Sequence, residues 1–376
     1  MQRTWCLREA VRSFTKSPTF ALLRSERTPL EEAFGYPRPV ARVRTMRTAS
    51  KNTAFGEHWR PKLVDLDDLD ARIIEMLTED GRVTSRAIAS EIGLTEATVA
   101  ARIRSLHADH VVGVTGVFDW VAAGYEWDLW LFVEVQGRPV MDVANDLAGR
   151  PEVHAVTVVF GSADLVVHAL LPDRQAVAVF LSRGLTSVRG VHRVVADVAL
   201  DTVKYTVNFA RLPVEASLPL LPAPRIPLDD LDESIIKAVL TDGRQSNREI
   251  ARQLGVSDGT VRVRLKRMHE ADLMRISGQL DPYLTGTIGA WAFIGLQVSG
   301  SSSRRVIEQL AAMPEVLILS QVTGQHALLM LVVGSHRSAL EDIILRRIRG
   351  LPGVRAAETV EIVRTVKFDF RFARFK

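Results

Sequence analysis

The pentapeptide Leu66-Asp67-Asp68-Leu69-Asp70 recurs as Leu228-Asp229-Asp230-Leu231-Asp232, about 162 residues later, so the chain is built from a duplicated unit. At that offset Ile73-Ile74 meets Ile235-Ile236, Asp80-Gly81-Arg82 meets Asp242-Gly243-Arg244, and Gly93 meets Gly255. Thr98-Val99 meets Thr260-Val261, and His107 meets His269. About 18 of the 42 positions from Leu66 to His107 are identical. One gap later Pro151-Glu152-Val153 aligns with Pro314-Glu315-Val316, Gly161 with Gly324, and Thr202-Val203-Lys204 with Thr365-Val366-Lys367. Both halves are copies of one two-part module.

The first part of each module is helical. Apolar spacing at 69, 73, 74 and 77 predicts a helix from Asp68 to Leu77, with acids at its start and Asp80-Gly81 at its end. Thr84 or Ser85 caps a second short helix through Ile92, Gly93 makes a tight turn, and Thr95 caps a third helix. Val99, Ile103 and Leu106 form the buried stripe of that helix, as Val261, Leu265 and Met268 do in the second copy. Three short helices around a glycine turn make a helix-turn-helix. The extended segments Val111–Val117 and Leu273–Leu280 follow as a hairpin or wing would.

The second part reads βαββαβ, the ferredoxin-like arrangement. Its strands run over 127–135, 153–160, 165–171 and 191–207, with helices at 139–147 and 174–185; the second copy repeats it from 290 to 370. A four-stranded sheet with helices on one face leaves the other bare. Val194, Ala196 and Val198 are expected on that bare face, which predicts self-association through the sheets, within one chain or between chains.

The expected organisation is thus α+β: tandem winged helix-turn-helix domains, each followed by a ferredoxin-like domain. The boundaries are a basic arm over 1–62, a first helix-turn-helix domain over 63–118 and a first effector and assembly domain over 124–211. A Pro-rich linker spans 212–227, a second helix-turn-helix domain 228–282, and a second effector and assembly domain 287–376. The arm carries about +8 of charge, and the remainder about −4, so the net charge of +4 conceals a split. The arm is read either as a disordered basic segment that touches phosphates or as sequence ahead of a later start at Met46.

Several classes are excluded by residue type. The single cysteine, Cys6, allows no intrachain disulfide framework and no CxxC metal site. No apolar run reaches the roughly 20 residues of a membrane helix, and no signal core stands near the start, so a cytoplasmic protein without a membrane partner is expected. There is no HExxH, P-loop, GxGxxG or GxSxG pattern, so no catalytic residues, metal or cofactor are assigned. His107-Ala108-Asp109-His110 reads as a surface patch, and His154, His168, His192 and His326 as structural.

The candidate nucleic-acid residues lie on the third helix of each copy. In the second copy Gly259, Val263, Lys266 and Arg267 stand opposite the buried stripe, flanked by Arg262, with Ser257 and Thr260 at the cap. Arginine and lysine there suit guanine edges or phosphates in a major groove. The first copy offers Thr95, Thr98, Ala101 and Arg104, a less basic set. Arg102 and Arg264 sit nearer the packed side, where a phosphate contact and a structural role are equally open.

Together the Leu-Asp-Asp-Leu-Asp leader, the Ile-Ile pair, Asp-Gly-Arg, Ile-Ala-x-x-Ile/Leu-Gly (Ile88 to Gly93, Ile250 to Gly255), Thr-Val-x-x-Arg and the βαββαβ tail closing on Lys204 and Lys367 resemble the Lrp/AsnC (feast/famine) transcriptional regulators, in two fused copies over about 64–376. The resemblance implies recognition helices reading half-sites in double-stranded operator DNA. It also implies a small effector, often an amino acid, bound between α/β units at a Gly-x-x-Asp loop. That loop is Gly161-Ser162-Ala163-Asp164 here, with Asp164 open to an amino group or to plain turn duty; the second copy's Gly324-Gln325-His326-Ala327 lacks the acid. The copies are therefore expected to divide labour, the first sensing and the second gripping DNA. The alternative is a tetrapyrrole enzyme like the sirohaem decarboxylases, which share the two-part fold. Their Trp-Pro-Tyr-Asn-like and His-Cys-Tyr-x-Arg-like segments are not found in this chain.

Overall fold

The acidic leader of each repeat opens a helix. The computed structural model describes residues 64, 66–210, 217–281 and 288–375, and the arm expected over 1–62 lies outside them. In α1 (Asp68–Glu79) the Asp67 carboxylate accepts the Asp70 N–H at 2.8 Å, and Asp70 in return accepts the Asp67 N–H. Asp229 and Asp232 repeat this capping box on α6 (Asp230–Thr241). Such a box satisfies donors that a helix start otherwise leaves orphaned.

Next come α2 (Ser85–Ile92) and α7 (Asn247–Leu254), which end at Gly93 (φ 72°) and Gly255 (φ 70°), a left-handed conformation that only glycine adopts cheaply. Thr95 and Ser257 then cap α3 (Glu96–Ala108) and α8 (Asp258–Glu270) by accepting the N–H groups of Thr98 and Thr260. Ile73, Leu77, Ile88 and Val99 are wholly buried in the first bundle, and Ile235, Ile236, Ile250 and Val261 in the second. Each such side chain contributes about 1.5–3 kcal/mol of burial.

The strand after each third helix finds its antiparallel partner in the other copy rather than in a hairpin of its own. β1 (Val112–Asp119) pairs with β6 (Met274–Leu280), Thr115 opposite Ser277. The chain end adds a short parallel strand, β11 (Phe372–Ala373), beside β1.

The first α/β unit comprises β2 (Trp127–Val135), α4 (Val140–Ala148), β3 (Val153–Phe160), β4 (Leu165–Leu171), α5 (Arg174–Val179, extended by a π turn) and β5 (Val191–Tyr205). The second comprises β7 (Ala290–Val298), α9 (Ser303–Ala311), β8 (Val316–Thr323), β9 (Leu328–Gly334), α10 (Arg337–Asp342, again with a π turn) and β10 (Val354–Phe368). The two sheets join within the chain at β5–β8 and β10–β3, closing an eight-stranded barrel in the order β10-β3-β4-β2-β5-β8-β9-β7.

The face assigned to β5 is corrected by one residue. Val194, Ala196 and Val198 pack toward the helices, with Leu129, Leu131 and Phe180. Val195 and Ala199 face the other sheet, among Trp130, Phe132, Phe293 and Leu331. β5 is apolar at both parities around this point, so hydrophobic alternation alone does not fix its register.

Between the halves, the stretch expected as an extended linker is anchored in its described part. Ala123 and Ala122 accept the N–H groups of Ala223 and Arg225, and Leu220 accepts the Tyr125 hydroxyl.

Candidate nucleic-acid interface and effector cleft

The Asp-Gly-Arg motif clasps the two helix-turn-helix units together. Arg82 donates to the carbonyls of Gly243 and Gln245, both at 3.1 Å, and to Asn247. Arg244 donates to the carbonyls of Gly81 and Val83 at 3.0 and 3.2 Å. The backbone joins in: Gly81 N–H reaches Ile276 O, and Gly243 N–H reaches Val114 O. Both recognition helices, α3 and α8, are thereby held in one pseudo-two-fold frame.

The leader acids have a second use. Asp67 and Asp70 hold Arg102 of α3 at 2.8 and 2.7 Å. In the second copy Asp229 and Asp232 hold Arg264 at 2.6 and 2.8 Å, and Asp232 also takes Arg267 at 2.5 Å. Asp232 is wholly buried. The Arg264 hydrogen bond holds the Asp229 carboxyl down at about 2. Of the candidate DNA contacts, Arg102, Arg264 and Arg267 are thus engaged by carboxylates of their own bundle. Arg104, Arg262 and Lys266 are exposed, with Lys266 3.6 Å from Glu270. Thr95, Thr98, Ala101 and Ser257 also face solvent, and Thr260 is half-buried.

The loop Gly161–Asp164 borders an open cavity of about 320 Å³, whose polar lining includes Glu134, Gln136, Ser162, Asp164 and His192. Asp164 accepts the Val135 N–H at 2.7 Å, so one carboxylate oxygen performs a turn role. Arg193 holds Glu134 at 2.7 Å. The loop glycines serve the barrel seams as well. A Cβ on Gly161 (φ 149°) would meet Val360, and one on Gly324 (φ 146°) would meet Ala196 and Asp197. Their bareness admits a strand of the other copy, a role the sequence reading did not give them.

The second loop differs in kind. Gln297 donates to the Gln325 carbonyl, and Gln325 to Glu358. His326 is buried above Gly295, where any Cβ would strike its ring. Its Nδ1 lies 2.6 Å from Asp197 and its Nε2 3.1 Å from Glu358. Burial opposes the charged imidazole, but Asp197 and then Glu358 outweigh it and raise its pKa. Glu358 also accepts the Ser162 hydroxyl, which links the two loops.

His154 and His168, far apart in any local sequence pattern, are brought together by the fold. Their rings lie 4.9 Å apart, beside Trp120 and Tyr205. His168 meets Asp128 at 2.7 Å and stacks on Trp130 at 4.1 Å. Neither nitrogen of His154 has a hydrogen-bond partner among the described residues, so it is not the satisfied structural histidine expected. Burial, then the neighbouring His168, lowers its pKa to about 3. The repeat held a signal: at the second offset Asp128, His154, His168 and Tyr205 align with Trp291, Leu317, Leu331 and Phe368. Among the described residues no group of three or more His, Cys, Asp or Glu is placed to hold a metal, and no helix is long and apolar enough to cross a membrane.

Two capped recognition helices clasped above paired α/β units define a helix-turn-helix DNA-binding regulator with ligand-binding domains. Residues 66–107 and 228–269 match the AsnC-type helix-turn-helix domain, and residues 130–209 and 291–372 match the Lrp/AsnC ligand binding domain. The chain belongs to the Lrp/AsnC family, with both domains present twice in tandem. An uncharacterised HTH-type transcriptional regulator of Pyrococcus abyssi is 34% identical over 147 residues, which are 39% of this chain and 92% of that protein. Another, of Pyrococcus furiosus, is 36% identical over 144 residues, 38% of this chain and 97% of that protein. These relatives have the length of one copy. Among solved structures, the siroheme decarboxylase NirDL superposes with a TM-score of 0.58 over 80% of this chain and 93% of its own, at 16% identity. That likeness concerns the fold alone.

Proposed function

We propose that this chain is a complete Lrp/AsnC-type reading unit in one polypeptide, binding double-stranded operator DNA and answering to an amino acid. The observation that carries the reading is the reciprocal clasp of Arg82 and Arg244, which presents α3 and α8 together without a second chain. Exposed Arg104, Arg262 and Lys266 supply cations for phosphates and base edges. Thr95, Thr98, Ser257 and Thr260 sit at helix starts, where N–H groups and hydroxyls reach phosphates.

The effector site in this reading is the cavity at Gly161, Ser162 and Asp164. Glu134 and Asp164 offer negative charge to an ammonium group, and His192 offers a donor to a carboxylate, a pairing that suits a zwitterion. Retention of the chain's own upstream region against an unrelated fragment, over a range of salt, tests the DNA reading. Adding single amino acids to the same assay tests the effector. Selective retention that weakens steeply with salt supports the regulator; retention of neither fragment at low salt rejects it.

A second reading, a tetrapyrrole enzyme, draws on the buried Asp128–His168–His154 group, which the second copy replaces with apolar residues. A bound chromophore in purified protein would support it. A colourless protein that retains its upstream DNA supports the regulator.

A further inference from the structure

The scaffold of the two reading heads is held alike, while their outer faces are not. Thr95 and Ser257 make the same cap, and Arg102 and Arg264 make the same clamp onto the leader acids. The residues that project beyond this frame differ at nearly every matched position. Ala100 stands where the second copy has Arg262, Ala101 where it has Val263, and Ser105 where it has Arg267. Charge follows: α2 and α3 hold three arginines against two glutamates, net +1, whereas α7 and α8 hold six Lys/Arg against three acids, net +3. Val263 is 64% exposed, an unsheltered branched side chain in the middle of a reading helix.

We propose that the two heads read unlike half-sites, so that this chain's operator is non-palindromic and base reading is concentrated under α8 through Arg262, Val263 and Lys266. The inference rests on the DNA-binding reading above. A dimer of identical chains presents two equal heads by symmetry and therefore favours a palindrome. Covalent fusion removes that constraint while β1–β6 and the arginine clasp keep the two-fold frame. Arg262 and Lys266 reach guanine edges and phosphates, and Val263 packs on a thymine methyl. The alanine-faced α3 has no long reader except Arg104, so it holds the duplex through its capped start and through shape.

The test is selection of bound sequences from a randomised duplex pool by the full chain, followed by binding of the selected site at several salt concentrations. The expected motif is asymmetric, with base preference in one half and a thymine within it. Arg262→Ala with Lys266→Ala lowers affinity on the order of 10- to 100-fold and flattens the salt slope, while Arg104→Ala costs less. Val263→Ala relaxes the preference for thymine. Grafting Ala100→Arg with Ala101→Val shifts the selected motif toward a palindrome. A palindromic motif from the unmodified chain, or equal losses at both heads, overturns the inference while leaving DNA binding intact. Recovery of no DNA at low salt fails the underlying reading itself.

Discussion

His326, in the β8–β9 loop of the second copy, lies with Nδ1 2.6 Å from the wholly buried carboxylate of Asp197 on β5 of the first copy. This pair crosses the seam that closes the barrel. Glu358 on the far side of the ring ties it to Ser162, in the loop that borders the open cavity proposed for the effector.

Removing the His326 ring leaves the buried Asp197 carboxylate with backbone donors alone, the N–H groups of Gln325 and of position 326. His326→Ala is therefore expected to cost about 3–5 kcal/mol, read by urea denaturation at pH 6. The native imidazole has a raised pKa, so its contribution is complete below the unfolded value near 6.5 and is lost as pH rises through the native one. Melting temperature should fall on that alkaline side in the native chain and stay flatter in the variant. Equal pH profiles would contradict the pairing.

His154 has the opposite linkage. An unfolded chain takes up its proton near pH 6.5, whereas the buried ring resists protonation until about 3. Its stabilising neutrality is complete above 6.5 and drains away as pH falls. His154→Leu, copying Leu317 of the other half, should raise stability by about 1–3 kcal/mol at pH 7 and more at pH 5. A destabilised variant at both pH values would show that the ring is required by the packing.

The arginine clasp predicts a split between folding and binding. Arg82→Ala with Arg244→Ala leaves each bundle its own core and the β1–β6 pairing in place, but loosens the heads against each other. Affinity for a complete operator should drop about tenfold or more, with affinity for an isolated half-site little changed. Parallel loss on both DNAs would mean that the arginines act locally.

One amino acid per chain is the expected effector stoichiometry in titration calorimetry. The first loop borders an open cavity, whereas the second is bridged by Gln297 and filled by His326. Asp164→Ala removes a carboxylate and the bond to Val135 N–H, and should weaken binding about tenfold. Two equivalents per chain would contradict this asymmetry.

Much of the architecture was legible because it is written in short-range signals. Thr95, Ser257, Gly93 and Gly255 announce caps and turns by residue type, and the repeat announces duplication. The pairing of the halves was not legible, because β5–β8 and β10–β3 join strands about a hundred residues or more apart with no local mark of the partner. The same limit hid the carboxylates on Arg264 and Arg267, since helical spacing gives a side chain's direction but not the acid waiting 35 residues upstream. β5 misled by a single residue for want of a polar face.

If the proposed function holds, one chain is one whole reading unit. Sedimentation of the protein with a single labelled operator duplex, at protein concentrations spanning saturation, measures it directly. The first saturating complex is expected to have the mass of one chain and one duplex. A smallest complex holding two chains, with no one-chain species at any ratio, would contradict it.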